Sequence, residues 1–323
     1  MNHSSPPARL LADVGGTNAR FAWQAGPGAP IESVQTLPCA DYPSLESAMR
    51  AYMEGLPRTR PRIAAVAIAN PVHGDRVRMT NHHWSFSISE LQAALGFERL
   101  EVLNDFTALA LALPLLDDAD KRPVGGGVAL PHAAIGLIGP GTGLGVSGLL
   151  PDGRGGWVPV SGEGGHVTLA ATTPLEHRVI ESLQQQFGHV SAERAVSGMG
   201  LLDIYRCLCQ FAGRDVPPGW TAAQVSEAGL QGEPMARDAL NMMCAFLGGV
   251  AGNLALTLGA KGGVYIGGGV IPRLGRFFDE SPFRERFEAK GRFVSYLAEI
   301  PVWVIVAPQS PALRGTAAVL DAL

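Results

Sequence analysis

The sequence predicts two α/β domains, and three observations carry that prediction. Strand-like apolar runs alternate with helical patterns over about the first 115 residues, the signature of an α/β layered fold. A glycine-turn hairpin near the start, Leu10–Trp23 (LLADVGGTNARFAW), has a counterpart at Ala133–Leu150 (AAIGLIGPGTGLGVSGLL). Between them, Asp117–Pro131 is polar and glycine-rich, set among Pro114, Pro123 and Pro131, and reads as a domain junction. The chain has 323 residues, 46% of them hydrophobic, enough for two cores.

The elements follow in order. Residues 9–14 and 19–24 read as strands around the Gly15-Gly16 turn. Arg62–Ile68 (RIAAVAI) is a short apolar run that stops at Asn70-Pro71, a turn signal, and reads as a buried strand. Leu100–Leu103 is another, and it gives way at Asn104-Asp105 to a helical pattern, DFTALALALPLL. In the second half, the Ala133–Leu150 hairpin repeats the opening arrangement, which suggests a weak internal duplication. Pro174–Leu258 reads as mainly helical with a break at Gly213–Gly219. Gly262–Ile271 (GGVYIGGGVI) is a strand, a glycine turn and a helix start. Val302–Ala307 is a last strand, and Pro311–Leu323 is a terminal helix.

Composition excludes several classes. The net charge is −4 and no basic run occurs, which argues against a nucleic-acid partner. The start, MNHSSPPAR, lacks the basic and apolar regions of a signal peptide. Ala239–Leu258 nears membrane-span length, but Asn241, Asn253 and three glycines mark it as a buried core helix. A soluble cytoplasmic protein with no membrane partner is expected. Cys39, Cys207, Cys209 and Cys244 lack the paired spacing of a zinc site and read as reduced, buried thiols.

The opening hairpin is the most informative stretch. Glycines let backbone amides approach a ligand, and consecutive amides in such a turn form a concavity for anions. Asp13 stands at its lip, where a carboxylate suits a cation held through water, so the turn fits a phosphate with Mg²⁺. An ordinary glycine hairpin is the plainer reading of the same residues. Gly143, Gly145 and Gly148 form a literal GxGxxG, but strand-like residues and Pro151 follow where a dinucleotide site needs a helix. A second phosphate-binding hairpin fits better.

Asp105 lies where a strand yields to a helix, a usual place for ligand-binding groups in α/β proteins. It reads either as a helix cap or as a general base for a hydroxyl. In Ser161–His166 (SGEGGH), Glu163 and His166 are framed by three glycines. The pair suits sugar hydroxyls; a surface turn and a metal pair are the other readings, the latter without an HExxH frame. In Asn81–Trp84 (NHHW), Trp84 serves a ligand or the core equally well, and no partner cluster makes His82 and His83 metal ligands. Glu193, in SAERAVSG, reads by itself as a helix-surface acid.

Together these motifs resemble the bacterial glucokinases of the hexokinase–actin–Hsp70 ATPase superfamily, over nearly the whole chain. The matching segments are DVGGTNAR (13–20), LNDF (103–106), GPGTGLG (139–145), SGEGGH (161–166), SAERAVSG (191–198) and IGGGV (266–270). Each is weak alone; their order and spacing are specific. The resemblance implies a two-domain actin-like ATPase (ribonuclease-H-like) fold with a ligand cleft between domains. It implies residues 1–115 with 308–323 as the small α/β domain and 116–307 as the large one. It implies ATP-dependent phosphorylation of D-glucose at the 6-hydroxyl.

By the same resemblance, Asp105 takes the hydroxyl proton and Asn104 binds the 3- and 4-hydroxyls. Glu163, His166 and Glu193 bind the hydroxyls around carbons 1 to 3. Gly15, Gly16, Thr17 and Asn18 cradle the outer phosphates with Thr142 and Gly143, Gly267 and Gly268 lie against adenosine, and Asp13 supports Mg²⁺. Related sugar kinases of the repressor/ORF/kinase group carry a Cys-rich zinc motif beside the catalytic His. Here VTLAATTP follows His166, so the zinc-free branch and no structural zinc are expected. The absence of a helix-turn-helix extension argues against a repressor. A homodimer is the family's expectation. The alternatives are a kinase for mannose or an N-acetylated hexosamine, or a nonenzymatic sugar- or ATP-sensing module, which would have no need of Asp105.

Overall fold

The computed structural model describes residues 6–80 and 82–322; the start of MNHSSPPAR, Asn81 and the final Leu323 lie outside the described residues. The chain divides into two compact units, Met1–Asp117 with Ala307–Leu323, and Asp118–Val306.

The first unit runs β1 (Arg9–Val14), β2 (Asn18–Gln24), β3 (Ile31–Pro38), α1 (Leu45–Glu54), β4 (Ile63–Ile68), β5 (Arg76–Arg78), β6 (Ser85–Ser87), α2 (Ile88–Leu95), β7 (Arg99–Asn104) and α3 (Asp105–Ala112). Its main sheet has the order β3-β2-β1-β4-β7. β1 pairs antiparallel with β2 and parallel with β4, which pairs parallel with β7. Side chains alternate across a strand. Leu10, Phe21 and Val66 therefore meet Met49 and Trp84 on one face, while Leu11, Ala22 and Ala65 meet Leu313 and Leu320 on the other.

The second unit runs β8 (Lys121–Pro123), β9 (Ile135–Pro140), β10 (Leu144–Pro151), β11 (Trp157–Val160), α4 (Pro174–Phe187), α5 (Gly198–Phe211), α6 (Ala222–Leu230), α7 (Pro234–Leu258), β12 (Val264–Ile266), α8 (Ile271–Leu274), α9 (Arg276–Glu280), α10 (Phe283–Glu288), α11 (Val294–Ala298) and β13 (Val302–Ile305). Its sheet is ordered β11-β10-β9-β12-β13-β8. The chain then returns to the first unit as α12 (Ala312–Asp321), which packs on α3. Gly315 permits that approach, because a Cβ there would overlap the Ala108 carbonyl.

α7 is long and apolar enough to cross a membrane by length and composition, yet 67% of its most apolar window is buried inside the protein. It is the core helix of the second unit. Gly248 and Gly252, four residues apart, admit the carbonyls of Phe283 and Phe287 from α10.

Four sequence readings change. The polar stretch after Asp117 contains β8, disguised by its terminal Pro123 on an edge strand. The helix expected over DFTALALALPLL tightens at Pro114 into a 3-10 turn, Leu113–Leu115. The helical region after Pro174 breaks at Gly188 as well as near Gly213, and a 3-10 turn, Ala192–Arg194, fills the gap. Glu193 therefore stands on that turn and not on the surface of a regular helix.

Candidate active site

In the first unit the site follows from strand register. Val14 pairs with Ile68, and Ile68 pairs with Asn104, so β1, β4 and β7 end level with one another. Carboxyl ends of parallel strands are where open α/β sheets place ligands. Three loops leave there side by side.

After β1, Gly15 N–H donates to Asn18 O at 2.9 Å and closes the turn. Cys39 pins it from behind, its N–H donating to Thr17 O at 2.8 Å and its thiol to Gly15 O at 3.4 Å. Burial pushes the Cys39 thiol pKa up, which keeps it an inert structural group. After β4, Asn70 Oδ1 accepts from the N–H and hydroxyl of Thr80, at 2.9 and 2.6 Å. After β7 comes Asn104, the N-cap of α3.

Asn104, not Asp105, caps the helix. Its backbone is extended (φ −62°, ψ 146°), and its Oδ1 accepts from Phe106 N–H and Thr107 N–H at 2.9 and 3.2 Å. Its Nδ2 donates to Asn70 O at 3.3 Å and to Asp105 Oδ1 at 3.0 Å. Asp105 is the first helical residue, and its Oδ1 also accepts from Phe106 N–H at 2.9 Å. Burial pushes the Asp105 pKa up to about 6; the Phe106 hydrogen bond opposes this, and the negative charge of Asp13 adds to it. Asp13 Oδ2 accepts from the Ser310 hydroxyl at 2.6 Å and from Arg20 at 3.3 Å. Trp84 belongs to the core: it is 2% exposed and its indole N–H donates to Tyr42 O.

In the second unit, β9 and β12 are parallel, with Ile138 opposite Ile266, and two glycine turns leave their ends. Gly141 N–H donates to Gly143 O at 2.8 Å, closing the turn that carries exposed Thr142. Gly267 N–H donates to Ile138 O. Gly268 has φ +76°, and a Cβ there would strike the Pro140 carbonyl. Only glycine fits that close approach.

Glu163 and His166 are both exposed on a 3-10 turn, with His166 N–H donating to Glu163 O at 3.0 Å. Glu193 is half-buried, and its Oε2 accepts from Leu144 N–H at 2.8 Å. Ser197 holds the Glu193 segment, donating to Glu193 O at 2.8 Å while accepting from Gly200 N–H as the cap of α5.

Comparison with known proteins identifies this arrangement. The Glucokinase family model matches residues 10–323. The chain belongs to the glucokinase family. A glucokinase of Aromatoleum aromaticum is 54% identical over 317 residues, which cover 97% of this chain and 94% of that one. A bifunctional protein glk of Paraburkholderia xenovorans is 51% identical over 322 residues, and the chain spans 49% of that relative's length. The crystal structure of a glucokinase from an Antarctic psychrotroph superposes with a TM-score of 0.90 at 38% identity, covering 98% of this chain and 99% of that one. The fold is the two-domain actin-like ATPase fold expected from the motifs.

Three residues that brace the candidate site of this glucokinase-family chain carry no signal in the sequence. Ser310, which grips Asp13, sits in PQSPALRG, a segment without motif character. Asn70 appeared only as a turn residue, and Ser197 lay inside a quoted motif without a role. Among the described residues, no group of three or more His, Cys, Asp or Glu could hold a metal ion. Mg²⁺ needs no such cage, since one or two carboxylates and substrate phosphates suffice. Asp13, near enough to Asp105 to raise its pKa, suits that role.

Proposed function

We propose that Asp105 is the general base for the reaction of this family, ATP-dependent phosphorylation of glucose to glucose 6-phosphate and ADP. The carrying observation is one half-buried carboxylate at the end of β7 with a pKa of about 6. That group is ionised at neutral pH yet basic enough to take a hydroxyl proton. It is also released from capping, because Asn104 does that work. The 6-hydroxyl oxygen attacks the γ-phosphorus as its proton passes to Asp105, and the bond to the β,γ-bridging oxygen breaks to release ADP.

Asn104 keeps Asp105 Oδ1 oriented and offers its amide to the 3- and 4-hydroxyls. Glu163, His166 and Glu193 serve the hydroxyls around carbons 1 to 3, as acceptors and donors on glycine-framed turns. Gly15, Gly16, Thr17 and Asn18 cradle the outer phosphates together with Thr142 and Gly143. Gly267 and Gly268 lie against adenosine. Asp13 would hold Mg²⁺, which supplies charge neutralisation at the phosphates.

We further read the protein as a cytoplasmic homodimer without structural zinc, to be checked by light scattering and by metal analysis of the purified chain. The deciding experiment is ADP release across glucose, mannose and N-acetylated hexosamines, with and without Mg²⁺. Glucose should be the preferred substrate, and activity should vanish on Mg²⁺ removal and return on its addition. A preference for another hexose would reassign the substrate, and ADP release indifferent to sugar would sink the kinase reading.

A further inference from the structure

The segments read as nucleotide-side and sugar-side in the second unit are joined at one residue, Leu144. The Leu144 N–H donates to Glu193 Oε2 at 2.8 Å. On its other side, the Leu144 carbonyl lies where a Cβ on Gly165 would fall, so the SGEGGH loop presses against the same residue. Further bonds tie the segments together. Gly198 N–H donates to Gly141 O at 3.0 Å, and Ala192 N–H donates to Val167 O at 2.8 Å. Gly143 completes the contact. A Cβ built there would overlap Glu193 Oε2, while Oε1 stands 3.8 Å from the same point.

We propose that Glu193 is a shared positioning residue: its carboxylate fixes the Gly141–Leu144 phosphate turn through Leu144 N–H while it faces the sugar, so that sugar and nucleotide binding are linked. This rests on the sugar and phosphate roles proposed above. Two ligands that each order one carboxylate and the turn it holds must tighten one another, and the linkage is reciprocal. The glycine at 143 is required by the carboxylate beside it.

The test uses that glycine. Its backbone does not require positive φ, and the nearest atoms a methyl would meet belong to the far end of the flexible Glu193 side chain. Gly143→Ala should therefore fold and push the carboxylate off Leu144. Calorimetry on the full chain then measures glucose alone, Mg-ADP alone, and each in the presence of the other. Wild-type protein should show each ligand tightening the other by about fivefold or more, the lower end of ordinary coupling. Gly143→Ala should weaken glucose binding about fivefold with no nucleotide present, and should abolish the coupling.

Gly126→Ala, outside the site and where a Cβ meets nothing, should leave glucose affinity within about twofold of wild type. Glu193→Asp, one methylene shorter, repeats the test should Gly143→Ala lose its circular-dichroism signature. Unchanged glucose affinity in Gly143→Ala, or no coupling in wild type, overturns the proposal. Wild-type glucose affinity in Glu193→Gln would instead remove Glu193 from the sugar site, a separate failure.

Discussion

The two units share a five-strand sheet pattern, which β8 extends in the second, and use it differently. In each, an antiparallel hairpin (β1–β2, β9–β10) is extended on one side by an antiparallel strand (β3, β11). On the other side it is extended by two parallel strands (β4 and β7, β12 and β13). Each hairpin turn is a glycine turn. The units differ in what lies between the third and fourth strands of this repeat. In the first, one helix, α1, spans Pro38 to Ile63; in the second, α4 to α7 lie between Val160 and Val264. The carboxylates follow that difference. Asp13 and Asp105 sit on or just after sheet strands, where burial and the nearby charge of Asp13 raise the pKa of Asp105. Glu163 and Glu193 sit on turns within the insertion, exposed and half-buried. The sheet edge suits proton chemistry, and the insertion suits recognition of hydroxyls.

The largest expected effect falls on the sheet edge. Asp105→Asn keeps the shape and most hydrogen bonds but removes the base, which is worth ~10²–10⁴-fold. Turnover should fall by at least that factor, with glucose affinity retained within about tenfold. Steady-state kinetics and a glucose titration decide it; near-normal turnover would reduce Asp105 to a helix-start residue and dissolve the contrast between the units.

The same variant should gain stability. The folded-state pKa of Asp105 lies above the ordinary carboxyl value of 3.8, at about 6, so folding favours the protonated form. Its stabilising contribution is complete below about pH 4 and is lost as pH rises through about 6. At pH 8 the wild-type charge costs at most about 3 kcal/mol, from about two pKa units at 1.36 kcal/mol each. Asp105→Asn should therefore have a higher denaturation midpoint than wild type at pH 8 and lose that advantage by pH 4. Turnover of wild type should fall on the acid side as pH drops through about 6. A variant less stable than wild type at pH 8 would mean that the Phe106 and Asn104 hydrogen bonds outweigh desolvation.

Much of this architecture is legible in the sequence because apolar runs and glycine turns are local signals. The strands at Arg9–Val14, Ile63–Ile68 and Ile135–Pro140 are almost wholly buried and read as continuous apolar segments. β3 (IESVQTLP) hides because it is a largely exposed edge strand with little to bury. The family motifs point to Asp105 and the glycine turns, but two features are not settled by the motifs alone. One is the capping by Asn104, which shares its LNDF motif with Asp105 and is told apart only by backbone geometry. The other is the grip of Ser310 on Asp13, across 297 residues of sequence.

The insertion should fail differently from the sheet edge. Glu163→Gln exchanges a carboxylate for an amide that is half donor, leaving at least one sugar hydroxyl without its acceptor. An unpaired polar group costs ~1–3 kcal/mol, roughly 5- to 150-fold in glucose affinity. Binding of Mg-ADP without sugar should stay within about twofold, because Glu163 contributes to no nucleotide contact in this reading. Calorimetric titration of each ligand separates the two; unchanged glucose affinity would return Glu163 to a plain surface turn.

The smallest expected effect sharpens the comparison, because it concerns how each unit holds its carboxylate. Glu193 is held by a backbone N–H, so truncating a side chain does not delete its partner. Asp13 is held by the Ser310 hydroxyl, which can be removed without touching the turn. Ser310→Ala leaves Arg20 in place at 3.3 Å and opens a half-buried position that water can fill. The loss is then that of one ordinary hydrogen bond, ~0.5–1.5 kcal/mol, or roughly 2- to 12-fold. It should appear in the KM for Mg-ATP and in the Mg²⁺ concentration giving half-maximal rate. The glucose KM and the acid limb near pH 6 should not move. An equal rise in both KM values would show that Ser310 supports the end of the sheet as a whole and not Asp13 in particular.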